Sequence, residues 1–158
     1  MRVYIDTSVF GGCFDEEFSA VSRSLFEAVS RGEILPLVSE VTARELEAAP
    51  RQVRDFFART LERAGERVEV SEEAVLLAHA YIGAGVVAKK WFDDALHVAL
   101  ATLARADVFV SWNFRHPVSP VRIRAFNNVN AVQGHGQVVI MTPADVVHAL
   151  EGTDETED

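Results

Sequence analysis

Three stretches of this chain place acids just past a strand, on the helix that leaves one, or at the start of a buried helix, and a fourth places an amide just past a strand. They are Asp6 in YIDTSVF, Glu45 in SEVTARELEAAP, the pair Asp93 and Asp94 in WFDDALHVALATL, and Asn113 in DVFVSWN. Taken alone, Asp6 with Thr7 and Ser8 also suits a turn in which the carboxylate caps the next segment. Its meaning depends on what stands beside it. Carboxylates sharing one pocket raise each other's pKa and cost stability unless a cation sits among them. An all-oxygen set suits a hard ion, Mg²⁺ or Mn²⁺. Zinc prefers His and Cys, and the five histidines (His79, His97, His116, His135 and His148) show no paired spacing of the HExxH kind. Acids holding Mg²⁺, with phosphate oxygens and water completing the shell, serve phosphoryl transfer or phosphodiester hydrolysis.

For these residues to meet, the chain must bring distant segments to one edge, and its hydrophobic pattern does so. Val3 to Ile5 reads as a strand buried on both faces. Gly11 and Gly12 then suit a loop. Residues 19 to 31 place Val21, Leu25, Phe26 and Val29 on one helical face. Ile34 to Val38 is a second strand. Ser39 to Ala49 reads as a helix broken by Pro50, and 51 to 64, 71 to 82 and 93 to 105 as three more, the last apolar nearly all round. Val108 to Val110 and Val138 to Met141 are further strands. Asn127, Asn128 and Asn130, with Gly134 and Gly136, read as an irregular connection between them. Thr142 and Pro143 are an N-cap and first-turn proline for a last helix to Leu150. Alternating strands and helices imply right-handed crossovers, a mostly parallel sheet, and ligands at the carboxyl ends of its strands. Asp6, Glu45, Asp93 or Asp94, and Asn113 all fall at that edge.

The length of 158 residues and 49% apolar content suit one domain over residues 1–150 with a real core. No apolar run is long enough for a membrane span, and no leader is evident, so a cytoplasmic protein is expected. Cys13 is the single cysteine, which excludes an internal disulfide and a thiolate zinc site. The formal charge of −9 argues at first against a nucleic-acid partner. Five of the acids lie in the stretch from Glu151, however, and the rest carries 19 acids against 15 Lys and Arg, or −4. That stretch, EGTDETED, is polar enough to be a disordered acidic tail over 151–158.

The motifs YIDTSVF, SEVTARELEAAP, DDALHVALA and DVFVSWNFRHPV, in this order and at these spacings, resemble the PIN-domain family over most of the chain. The resemblance implies an α/β/α sandwich with a mostly parallel central sheet and a Mg²⁺- or Mn²⁺-dependent ribonuclease site, as in VapC-type toxins of toxin–antitoxin pairs. Carried over by position, Asp6, Glu45 and Asp94 become the metal-binding acids, with Ser8 a nearby hydroxyl. The family pattern selects Asp94 over Asp93, which on helical spacing aligns with Leu96 and Leu100 and suits an N-cap or outer role. Asn113 departs from the pattern, since a fourth Asp is common there. His97, three residues after Asp94, can orient that carboxylate or be a packed core histidine.

Lys89 and Lys90 precede the acidic helix, and Arg115, His116, Arg122 and Arg124 follow Asn113. These bases either flank the crevice and hold an RNA backbone or form a solvated face. Trp91 or Trp112 can stack a base or belong to the core. The expected reaction is metal-assisted RNA hydrolysis leaving a 5′-phosphate and a 3′-hydroxyl, by a homodimer with a cognate antitoxin protein. A rival reading is a PIN-like module with weak or no catalysis that acts through a protein partner. A phosphatase that phosphorylates its own Asp is excluded, because Ser8 occupies the place of the second Asp in its DxDx[TV] loop.

Overall fold

The computed structural model describes residues 1–113 and 117–156. Its centre is β1 (Arg2–Ile5), flanked by β2 (Leu35–Ser39) and β4 (Val108–Val110), with β3 (Glu66–Val68) and β5 (Ile140–Met141) outside them in the order β3-β2-β1-β4-β5. All four pairings are parallel. The expected α/β class therefore holds, with a sheet that is wholly parallel. The strand order reverses direction at β1, which creates a crevice at the carboxyl ends of β1 and β4.

Alternation along β1 sends Val3 and Ile5 into one core and Tyr4 into the other. The first core packs α1 (Thr7–Gly12), α2 (Ser19–Ser30), α4 (Arg51–Ala64) and α8 (Pro143–Thr156) on one face. The second packs α5 (Glu72–Gly83), α6 (Phe92–Leu103) and α7 (Pro120–Val132) on the other. Between them, α3 (Glu40–Leu46) sends Val41 to the second core and Leu46 to the first, so it closes the end of the sandwich. Its start is fixed by Ser39, whose hydroxyl accepts from Val41 N while Thr42 Oγ1 accepts from Ser39 N. Pro36 in β2 is tolerated because β3 pairs only from Leu37 onward, so no partner on that side calls for its missing N–H.

Several elements depart from the sequence reading. Gly11 and Gly12 belong to α1 rather than to a loop. A Cβ on Gly12 would sit 2.6 Å from Ser22 Oγ and 2.9 Å from Trp112 Nε1, so this glycine permits close packing. The segment containing Asn127, Asn128 and Asn130 is helical in α7. Asn127 ties the chain before β5 by accepting from Val138 N at 2.8 Å and donating to Val138 O at 3.1 Å, which is structural work. At the end of the chain, Thr142 and Asp145 form reciprocal backbone caps at 3.2 Å. The helix they start continues to Thr156, past the boundary at 150 where an unstructured acidic end was expected. Once nucleated, a helix propagates one hydrogen bond per residue without a new nucleus.

Candidate metal centre

Asp6 is the hinge of the site. Its backbone N–H donates to Val110 O at 3.0 Å, so β1 stays paired to β4 up to the residue that caps α1. The residue is buried, 7% exposed, and its Oδ2 accepts from Ser8 Oγ at 2.7 Å and Ser111 Oγ at 2.8 Å. Ser111 Oγ in turn accepts from Asn113 N at 2.9 Å, and Ser8 Oγ accepts from Trp112 N at 3.1 Å. One carboxylate oxygen is thus clamped by the β4 end. Among the described residues no donor bonds to Oδ1, and His97 Nε2 stands 3.9 Å from it.

Glu45 comes from α3 and is held similarly. Its Oε1 accepts from Thr7 Oγ1 at 3.1 Å and is hydrogen-bonded to His97 Nε2. Asp94 comes from the first turn of α6 and accepts from Asn113 Nδ2 on Oδ2 at 3.4 Å. Each of the three acids therefore has one oxygen tied by the protein, and no hydrogen bond among the described residues occupies the other. Burial, with the charges of Asp6, Glu45 and Asp93, pushes Asp94 up to about 6, although His97 pulls it down. The three acids feel one another. Among the described residues no group of three or more His, Cys, Asp or Glu side chains is placed to hold a metal ion as it stands. The donor set is all oxygen, with one unused oxygen per carboxylate, and so fits a hard divalent cation.

His97 is a packed core histidine, one of the two roles expected for it, and does not orient Asp94. It is fully buried in α6, and its Nε2 meets Glu45 rather than Asp94. Its Nδ1 bonds Tyr4 OH at 2.7 Å, and Tyr4 OH bonds Ser39 Oγ at 2.8 Å. Burial pulls its pKa down, but the Tyr4 oxygen, the Glu45 hydrogen bond and the Asp6 carboxylate outweigh it and carry it to about 10. His97 is hydrogen-bonded through both ring nitrogens and braces Glu45 against the core. Thr7, Ser111 and Tyr4 were not visible from sequence as site residues. Hydroxyls stand beside Asp6 in the sequence, as Thr7 and Ser8, but their spacing does not say which acid each one serves.

The remaining expectations divide. Asp93 does not cap α6, whose N-cap is Trp91; it pairs with Arg44 at 2.8 Å on the exposed side. Lys89 and Lys90 are exposed on a 3-10 turn (Lys89–Trp91) leading into α6, with Lys90 Nζ 5.3 Å from the Trp91 ring. Arg122 donates to Val86 O and is half-buried, which removes it from the exposed basic group, while Arg124 is exposed. Arg115 and His116 lie outside the described residues. Trp112 is committed to Phe18, at 4.5 Å between ring centroids, and to Ser22 Oγ at 2.8 Å, so it is not a free stacking platform. Burial pushes the Cys13 thiol up to about 12, so it is unreactive. A cleft of about 420 Å³ between α2 and α4 contains none of the acids. A smaller one, about 330 Å³, adjoins Thr7 and Glu45.

No protein-family model matches the chain, and no curated protein matches it. Among solved structures, VapBC2 from Rickettsia felis bound to a DNA fragment from their promoter matches with a TM-score of 0.60 and 12% sequence identity. The match covers 90% of this chain and 98% of that one. At this identity the likeness is one of fold, and it agrees with the PIN-like α/β/α architecture implied by the sequence motifs. Among the described residues no helix is long and apolar enough to cross a membrane.

The two raised pKa values set a pH dependence. Asp94 binds its proton more tightly folded than unfolded, so its contribution to stability falls as pH rises from about 4 to about 6. His97 also holds its proton more tightly folded, so its contribution is complete below about 6.5 and lost as pH rises towards about 10. Both slopes have one sign. In EDTA the protein should melt several degrees higher at pH 5.5 than at pH 8.5 by scanning calorimetry, on the order of 3 kcal/mol for the two groups together. A melting temperature that is flat or rises over that interval contradicts these environments.

Proposed function

We propose that this chain is a Mg²⁺- or Mn²⁺-dependent endoribonuclease, the toxin of a toxin–antitoxin pair acting in the cytoplasm. What supports the reading is that Asp6 and Glu45 both raise the pKa of Asp94, and that each of the three acids has one oxygen with no hydrogen bond among the described residues. A divalent cation held there supplies Lewis-acid polarisation of a phosphate oxygen and a bound water of lowered pKa. The protein's part is to aim the ligands. Ser8 and Ser111 fix Asp6, Thr7 and His97 fix Glu45, and Asn113 turns Asp94. Exposed Lys89, Lys90 and Arg124 then hold the RNA backbone.

A protein partner is part of the proposal. The cleft between α2 and α4 has an apolar floor of Phe26, Val29 and Phe56 and a basic rim of Arg59 and Arg63. That surface suits an antitoxin helix with one apolar face and acidic flanks. Pairing of two copies would use the exposed Leu76 of α5 and Val121 and Val132 of α7.

The test is cleavage of end-labelled single-stranded RNA by purified protein in Mn²⁺ and in EDTA, with the product ends analysed. Cleavage in Mn²⁺ alone, leaving 5′-phosphate and 3′-hydroxyl ends, is expected. One observation favours the rival reading of a weak or inactive binding module: one oxygen of Glu45 is already hydrogen-bonded to the His97 ring. Repeated failure to cleave in Mn²⁺ by folded protein decides for that rival.

Asn113 gauges how strong the site is. It offers Asp94 an amide donor and no charge, so Asn113→Ala should lower cleavage by ~10 to 100-fold, as loss of a ligand-orienting hydrogen bond does. Asn113→Asp adds a negative charge beside Asp94 and should tighten Mn²⁺ binding measured by calorimetry. Unchanged Mn²⁺ affinity in Asn113→Asp would place the residue outside the site.

A further inference from the structure

The cleft beside Glu45 answers a question the acids leave open, which part of an RNA strand other than the phosphate the protein touches. It lies between α1 and the start of α4, measures about 330 Å³, and shares Thr7 and Glu45 with the metal centre. Gly11, Phe14, Asp15 and Gln52 form much of the remaining wall. Among the described residues no Lys or Arg lines it, whereas Glu45 and Asp15 do, so a phosphate is a poor occupant. Its size is at the lower end of small-ligand sites, roughly 300–1,000 Å³.

The aromatic wall is prepared in advance. Phe14 is half-buried, its ring packed edge-on against Phe56 at 5.9 Å. The Arg23 guanidinium lies 5.8 Å from its centroid, and Arg23 Nε is anchored on Cys13 O at 3.0 Å. Little ordering is left to do when a planar group arrives. Gln52, exposed in the first turn of α4, offers an amide donor and acceptor. Gly11 faces open space, since a Cβ built there meets nothing within 4 Å.

We propose that this cleft receives an uncharged nucleobase of the RNA strand, adjacent to the scissile phosphate, and sets the nucleotide preference of cleavage. The proposal rests on the ribonuclease reading of the three acids. Glu45 is common to both sites, so a base in the cleft and a phosphate at the acids belong to neighbouring positions of one strand. Phe14 supplies the stacking face, and Gln52 reads the base edge.

Two measurements on the full chain test it. In the first, ¹⁵N-labelled protein in EDTA is titrated with adenosine, cytidine, guanosine and uridine at millimolar concentration, with free ribose as control. At least one nucleoside should move the amide signals of Gly11, Phe14 and Gln52, ribose should not, and Gly11→Leu should abolish the response by filling the space. In the second, a randomised RNA is cut in Mn²⁺ and the cut positions sequenced. Gly11→Leu and Gln52→Ala should each lower kcat/KM at the preferred nucleotide, by about 10 to 100-fold where stacking is lost, and flatten the preference. If Gly11→Leu fails to fold, the exposed Gln52→Ala decides. Silence of those amides to all four nucleosides, or an unchanged preference in the folded variants, overturns the nucleobase site and leaves the ribonuclease reading intact. Nucleoside shifts without any cleavage by the unmodified chain overturn the ribonuclease reading and keep the nucleobase site.

Discussion

Asp6→Asn should reduce Mn²⁺-dependent RNA cleavage on the order of 10³-fold or more while the fold persists. An asparagine keeps the shape, and its carbonyl oxygen can still accept from Ser8 and Ser111 as Asp6 Oδ2 does. What it lacks is the charge. The stabilisation a cation gives a phosphoryl transition state is several kcal/mol, and each ~1.4 kcal/mol is tenfold in rate. In EDTA the variant should melt at the same temperature as the parent or higher, because one of the charges that crowd Asp94 is gone. Asp94→Asn should behave alike. Parental turnover in either variant under matched Mn²⁺ would remove that residue from the site.

His97→Ala should produce the largest loss of stability. The side chain is fully buried and bridges Tyr4 OH on β1 to Glu45 on α3. Truncation opens a cavity, leaves the buried Tyr4 hydroxyl with Ser39 alone, and releases Glu45. Glu45 is itself 30% exposed, so the charge left behind is partly solvated and the cost is held to roughly 2–4 kcal/mol, a fall of on the order of 10 °C. Tyr4→Phe removes only the hydroxyl link and should cost ~1 kcal/mol. Because His97 positions Glu45, cleavage by folded His97→Ala should also fall ~10 to 100-fold. Differential scanning calorimetry with cleavage below the transition checks both. A melting temperature within a degree or two of the parent would mean that His97 does not brace the site.

The sheet was legible because its inner strands are apolar on both faces, as Val3–Ile5 and Val108–Val110 show. The edge strand β3 was not, since Glu66, Arg67 and Val68 are half-exposed or exposed and too few to show alternation. Helix α7 was hidden for a different reason. Its exposed Val121 and Val132 blur the buried stripe, and its asparagines, which suggest a loop, are spent on the chain before β5 and on Tyr81.

At the site, acids following strands were readable because the carboxyl edge of a parallel sheet is where ligands bind. The partners of those acids were not. Spacing on α6 places His97 on the same face as Asp94, but Glu45 from another helix takes its Nε2. Likewise Tyr4 reads as a core strand residue, and only the packing of α6 over that face of β1 reveals what its hydroxyl holds.

The decisive measurement is a calorimetric titration of Mn²⁺ into the unmodified chain and into Asp94→Asn at pH 7.5, above the value of about 6 to which Asp94 is raised. Saturable binding to the parent, stronger at pH 7.5 than at pH 5.5 because protons compete for Asp94, and loss of at least about tenfold in affinity in Asp94→Asn, is the expected result. Equal affinity in the two proteins, or no binding to either at millimolar Mn²⁺, would contradict a cation site built from Asp6, Glu45 and Asp94.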